Sequence, residues 1–107
     1  MATRSTIKIE GVNYAKIYKH WDGYPDGMVD WLNEFNADFN KQRGDDPEYK
    51  FAQVLRFAQR EGERFNLDMN KHTGWGVVPF DNDCWEEYEY ILTSTGVKVI
   101  NKYGDGK

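Results

Sequence analysis

The chain has 107 residues, 16% of them aromatic, and a formal charge of −4. That length closes one core and is too short for two, and the acidic balance argues against a non-specific nucleic-acid binder, which needs a basic stripe. The single cysteine, Cys84, excludes a disulfide framework within the chain and a four-cysteine zinc site.

Thr6 to Glu10 alternates, with Ile7 and Ile9 on one side and Thr6 and Lys8 on the other, which is the pattern of a half-buried strand. Gly11-Val12-Asn13 supplies turn chemistry. Tyr14 to His20 alternates again, with Ala15 and Ile17 opposed to Tyr14, Lys16, Tyr18 and His20. The two runs read as a hairpin whose aliphatic sides face the core together. Pro25 drives Tyr24 out of the helical region, and Asp26 is the expected cap of a helix running to Asn40. Met28, Trp31, Leu32, Phe35 and Phe39 supply its apolar face, and Asp30, Glu34 and Asp38 its outer face.

A second helix is expected from Asp46-Pro47, a capping aspartate followed by proline at the first helical position. Phe51, Val54, Leu55 and Ala58 form its buried face, Arg56, Arg60 and Arg64 step along another side, and Gly62 ends it. Phe65 to Met69 reads as a short strand, and Gly74 to Val78 as another strand or extended segment that Pro79 confines to an edge or ends. Asp81-Asn82-Asp83 is a polar turn. Glu86 to Thr93 alternates, with Tyr88, Tyr90 and Leu92 opposite Glu87, Glu89 and Ile91, and Val97 to Lys102 returns after Ser94-Thr95-Gly96.

The order ββααβ(β)ββ favours α+β: a mostly antiparallel sheet of four to five strands with two helices on one face. It forms one domain over residues 1–103, with a frayed tail at 104–107. The other sheet face is expected to show tyrosines, lysines and glutamates to solvent or to a partner. Met1-Ala2-Thr3-Arg4 lacks the apolar run of a signal peptide, and no segment approaches the roughly 18 apolar residues of a membrane span. With cysteine so sparse, a cytoplasmic setting is expected.

The stretch most unlike an ordinary loop is His20-Trp21-Asp22-Gly23-Tyr24-Pro25-Asp26-Gly27, between the second strand and the first helix. Gly23 is free to take a positive φ there. A histidine beside carboxylates is suited to moving protons near neutral pH or to holding a metal. The same aspartates are equally suited to bonding free N–H groups of the turn and capping the helix, with His20 stacked on Trp21 or Tyr24. His72, the second histidine, could complete a metal site, although no short ligand spacing supports one.

Arg56 and Arg60 could hold an anion or could simply be solvated. Of the aromatics Tyr14, Tyr18, Trp21, Tyr24, Trp75, Trp85, Tyr88 and Tyr90, about half are expected in the core, and the rest mark a face that meets a partner or stacks a base. Ser5 and Ser94 lie in strand-edge or turn contexts. Cys84 lies among acids, which disfavour a thiolate. There is no phosphate loop and no dinucleotide fingerprint, so no catalytic residue, cofactor or metal is assigned.

Thr3-Arg4, Tyr18, the run His20-Trp21-Asp22-Gly23-Tyr24-Pro25 and the later Glu87-Tyr88-Glu89-Tyr90 strand resemble a family of small phage and prophage proteins that carry an "HWDGYP" motif. The resemblance covers the N-terminal part through the first helix and the C-terminal tyrosine strand. It implies a setting, that of a phage-encoded accessory protein, and carries over no catalytic residue. The leading expectation is therefore a non-enzymatic binder of a host protein, serving host takeover or anti-defence. It would act as a homo-oligomer through the sheet face and the motif turn. The alternative is a binder or hydrolase of a nucleotide-type small molecule. In that reading Tyr18, Trp21, Tyr24 or Trp75 stacks the base, Arg56 or Arg60 holds phosphate, and His20 and Asp22 handle protons.

Overall fold

The two alternating N-terminal runs form strands β1 (Ser5–Ile9) and β2 (Ala15–Lys19), paired antiparallel with Ile7 opposite Ile17. This is a computed structural model, and it describes residues 3–20, 23–44, 46–60 and 74–102, with positions 58–60 described by backbone alone. Gly11 turns the hairpin at φ 100°, and a Cβ there would lie 2.8 Å from the Pro47 ring. The turn therefore rests against the start of the second helix.

Helix α1 spans Pro25–Gln42 and α2 spans Pro47–Arg60. The first begins earlier than expected. Its N-cap is Tyr24, in extended conformation and without a side-chain capping bond, rather than Asp26. Proline at the first helical position has its φ preset and no N–H to satisfy, so it opens the helix itself. Asp26 then sits in the first turn, where the helix dipole favours a carboxylate. In α2 the Asp46 carbonyl accepts the first helical bond, from Lys50 N at 3.0 Å, while its carboxylate takes Arg43 at 2.7 Å.

Strands β3 (Trp75–Pro79), β4 (Tyr88–Leu92) and β5 (Val97–Asn101) complete a five-stranded sheet of order β3-β2-β1-β4-β5. Its pairings are antiparallel except β1 with β4, which is parallel and sets Ile7 opposite Tyr90. Pro79 lies on edge strand β3, where a missing N–H is tolerated. Ile7, Ile9, Ile17, Tyr90 and Leu92 share one face, and Met28 and Leu32 of α1 with Val54 of α2 close the core over it. Both helices thus cover a single face of an α+β sheet.

The opposite face departs from expectation. Strands β3 and β4 run parallel on opposite flanks of the β2–β1 pair, so the connection between them must return along the sheet. The helices occupy one face, and residues Phe80–Glu87 take the other. Phe80 N donates to the Tyr14 carbonyl at 3.3 Å, Lys16 Nζ to the Asn82 carbonyl at 2.6 Å and Glu87 N to the Arg4 carbonyl at 2.9 Å. Thr6, Lys16 and Glu89 are buried beneath this crossing and its own Glu86 is buried against Thr6 and Lys16, instead of facing solvent. The expected strand at Phe65–Met69, the helix end at Gly62, Arg64 and the tail at 104–107 lie outside the described residues.

Candidate functional site

The motif junction is pinned to the sheet by Gly23. Its N–H donates to the Thr3 carbonyl at 2.9 Å, and its carbonyl accepts the Tyr90 hydroxyl at 2.6 Å. A Cβ on Gly23 would fall 2.5 Å from Ser5 Oγ. Glycine is required here for close approach. The positive φ open to it is not used; among the described residues positive φ occurs at Gly11, Gly44, Gly74 and Trp85. Burial, with Tyr88 nearby, pushes the Tyr90 phenol far above its ordinary value, so it stays a neutral donor to Gly23.

His20 donates its backbone N–H to the Gly74 carbonyl at 2.7 Å, and its Nδ1 shares a 2.7 Å hydrogen bond with the Tyr18 hydroxyl. Trp75 pairs with Lys19 in the ladder and turns to the helix side. There it meets Trp31 edge-on at 6.3 Å, with the Lys19 ammonium 4.3 Å over its ring. The pleat therefore puts Tyr18 and His20 on one side of the sheet and Trp75 on the other. Tyr24 is exposed at the mouth of α1. Arg56 donates to Gln53 Oε1 at 3.2 Å and lies 5.6 Å from the Phe57 ring, so these contacts run along α2 and not to the junction. Trp21, Asp22, His72 and the side chain of Arg60 lie outside the described residues. Among those described, no three His, Cys, Asp or Glu side chains converge as metal ligands.

Two arrangements had no counterpart in the sequence reading. The first is the ionic network under the crossing segment. Lys8 meets Glu89 at 2.7 Å, Lys16 meets Glu86 at 4.0 Å, and Lys102 reaches Glu86 at 3.8 Å and Glu89 at 3.4 Å. Thr6 Oγ1 donates to Glu86 at 3.4 Å. Burial alone would push the Glu89 carboxyl up; the bonds and charges of Lys8 and Lys102 outweigh it and hold that carboxyl below the ordinary range. The network is closed on itself and serves as a clamp.

The second is an open groove of about 540 Å³ between the helices, lined by Trp31, Phe35, Phe39, Tyr49 and Phe57, with Glu34 and Asp38 on its α1 side. Phe35 meets Phe57 at 5.5 Å and Phe39 meets Tyr49 at 5.8 Å, yet Tyr49 remains 44% exposed and Phe57 38%. A sequence signal for this groove exists. Tyr49, Gln53 and Phe57 fall at four-residue steps, a stripe offset from the core stripe of Phe51, Val54 and Leu55.

At the far end of the helices a smaller cavity of about 510 Å³ is bounded by Glu10, Gly11, Asn40, Pro47, Lys50 and Ser94. Burial lowers the Lys50 ammonium's pKa, against the pull of Glu10. Its Nζ donates to Asn40 Oδ1 at 2.9 Å and ties α2 to the end of α1.

No protein-family model matches the chain, and neither a curated protein nor a solved structure does. No described helix is long and apolar enough to cross a membrane.

Proposed function

We propose that this is a phage-type accessory protein that acts without catalysis, by occupying the surface of a host protein through the groove between α1 and α2. The observation that carries this reading is an aromatic-lined groove in which Tyr49 and Phe57 are left exposed. Aromatic side chains are enriched where proteins meet partners, because they bury large area at low entropic cost. The motif junction supports the reading from the other side, because Gly23 and Tyr90 give it an architectural task. The centre of the sheet face opposite the helices is covered by the Phe80–Glu87 segment, which favours the helices as the contact surface.

The test is affinity capture from host lysate with the wild type and with Tyr49→Asp/Phe57→Asp. Both rings are partly exposed, and far-UV circular dichroism checks that the variant keeps its fold. Captured host protein should be lost with the variant. Capture that survives it overturns the reading. So does a saturable, concentration-dependent thermal shift with a nucleotide, which the competing small-molecule reading requires.

A further inference from the structure

We infer that the segment the groove receives is a basic amphipathic helix of the partner; this rests on the protein-binding reading above. Charge is the first ground. Glu34 and Asp38 line the groove, and Asp30 continues their row one turn back. None of the three forms an ion pair among the described residues. Like charges four positions apart destabilise a helix, so this row leaves a repulsion that a cationic occupant would relieve. Arg43, the one cation among the described lining residues, is held by Asp46 at 2.7 Å and lies over the Tyr49 ring at 4.7 Å. Arg56 stands beside Phe57 on the α2 wall, so it is the α1 lip of the groove that is negative and complements a positive surface. It opposes a phosphate-bearing ligand, and it opposes a second copy of a chain that itself carries a charge of −4.

Shape is the second ground. From Trp31 to Arg43 the α1 wall is about 18 Å long, or three to four helical turns. Phe35 facing Phe57 and Phe39 facing Tyr49 make the trough linear. An added β-strand would need an open sheet edge to bond, whereas the walls here are helices whose backbone groups are already paired. A linear apolar floor without backbone partners accepts side chains at helical spacing. The acidic lip then selects lysine or arginine on the flank of that helix.

The probes are two synthetic peptides of about 14 residues, each with leucine at helical spacing, one with lysine and the other with glutamate at the remaining positions. Binding to the full chain is read by fluorescence anisotropy. The lysine peptide should bind at least about tenfold more tightly than its glutamate twin. Glu34→Lys/Asp38→Lys should reverse that order, and Phe57→Asp should abolish binding of the lysine peptide. Equal affinity for the two peptides, lost in Phe57→Asp, would refute the basic helix while leaving the protein-binding groove standing. Failure of both peptides would also refute it, and capture from lysate that survives Tyr49→Asp/Phe57→Asp would remove the parent reading as well. Sedimentation showing a dimer that Phe57→Asp dissolves would give the groove to a second copy instead.

Discussion

The two faces of the sheet are closed by different physics. On the helix side, Ile7, Ile9, Ile17, Tyr90 and Leu92 pack under Met28, Leu32 and Val54; this burial is non-directional and has no charges for salt to screen. On the other side a single connection lays Glu86 over Lys16 and Thr6, and Glu89 bridges Lys8 and Lys102. That closure depends on geometry and on every partner being charged, because a buried ion left alone is costly. Strands that alternate cleanly can thus have a second face that is buried but built of ions. Alternation reveals which face is apolar; it does not reveal which face is wet.

Substitutions on each side should separate the two contributions. Leu32→Ala, fully buried on the helix side, should cost roughly 2–5 kcal/mol in urea unfolding, by the same amount at low and high salt. Gly23→Ala tests the seam where the motif meets β1. A methyl group 2.5 Å from Ser5 Oγ and 2.6 Å from Ser5 Cβ forces a shift, costing roughly 1–3 kcal/mol, and a lowered melting temperature with secondary structure retained would show it.

Glu89→Gln removes the carboxylate that Lys8 and Lys102 share. The loss should be roughly 1–3 kcal/mol near neutral pH, smaller at high salt. Because the folded carboxyl titrates below its ordinary 4.5, its stabilisation is complete above that value and disappears as pH falls through the lower, folded one. Wild type and Glu89→Gln should therefore converge in stability in acid, and a constant gap across that window would contradict the ionic account. The smallest effect belongs to the outer surface of α1. Glu34→Lys relieves repulsion with Asp30 and Asp38 and should raise stability by roughly 0.2–0.5 kcal/mol per pair, while weakening capture of a cationic partner.

Much of the architecture was legible because it was written locally. Alternating isoleucines gave the first hairpin, Asp46-Pro47 placed the start of α2, Pro79 marked an edge or an end of β3, and the alternation from Glu86 to Thr93 set Tyr88, Tyr90 and Leu92 together on one side of β4 without saying that the core takes that side. The ionic face was illegible because its members are scattered. Nothing near Lys16 announces Glu86, and the crossing segment reads as an ordinary polar turn. Lys50 and Asn36 are both buried, yet neither, being polar, is a member of an apolar stripe that would announce it. The motif was conspicuous in sequence, but the demand on Gly23 comes from Ser5 across the chain and not from the turn. The aromatic groove was half legible: each helix carried its stripe, while their juxtaposition required the fold.

The parallel pairing of β1 with β4 also shapes how the molecule comes into being. Thr6 and Glu86 touch although they lie 80 positions apart, and at about 5–20 residues per second the ribosome needs roughly 4–16 s to deliver the second after the first. During that interval one edge of β1, carrying Ile7 and Ile9, has no partner strand to bond. The newborn hairpin is then at its most adhesive. Lys8 on the same strand, later the mate of Glu89, provides the charge that discourages a neighbouring nascent chain from taking β4's place.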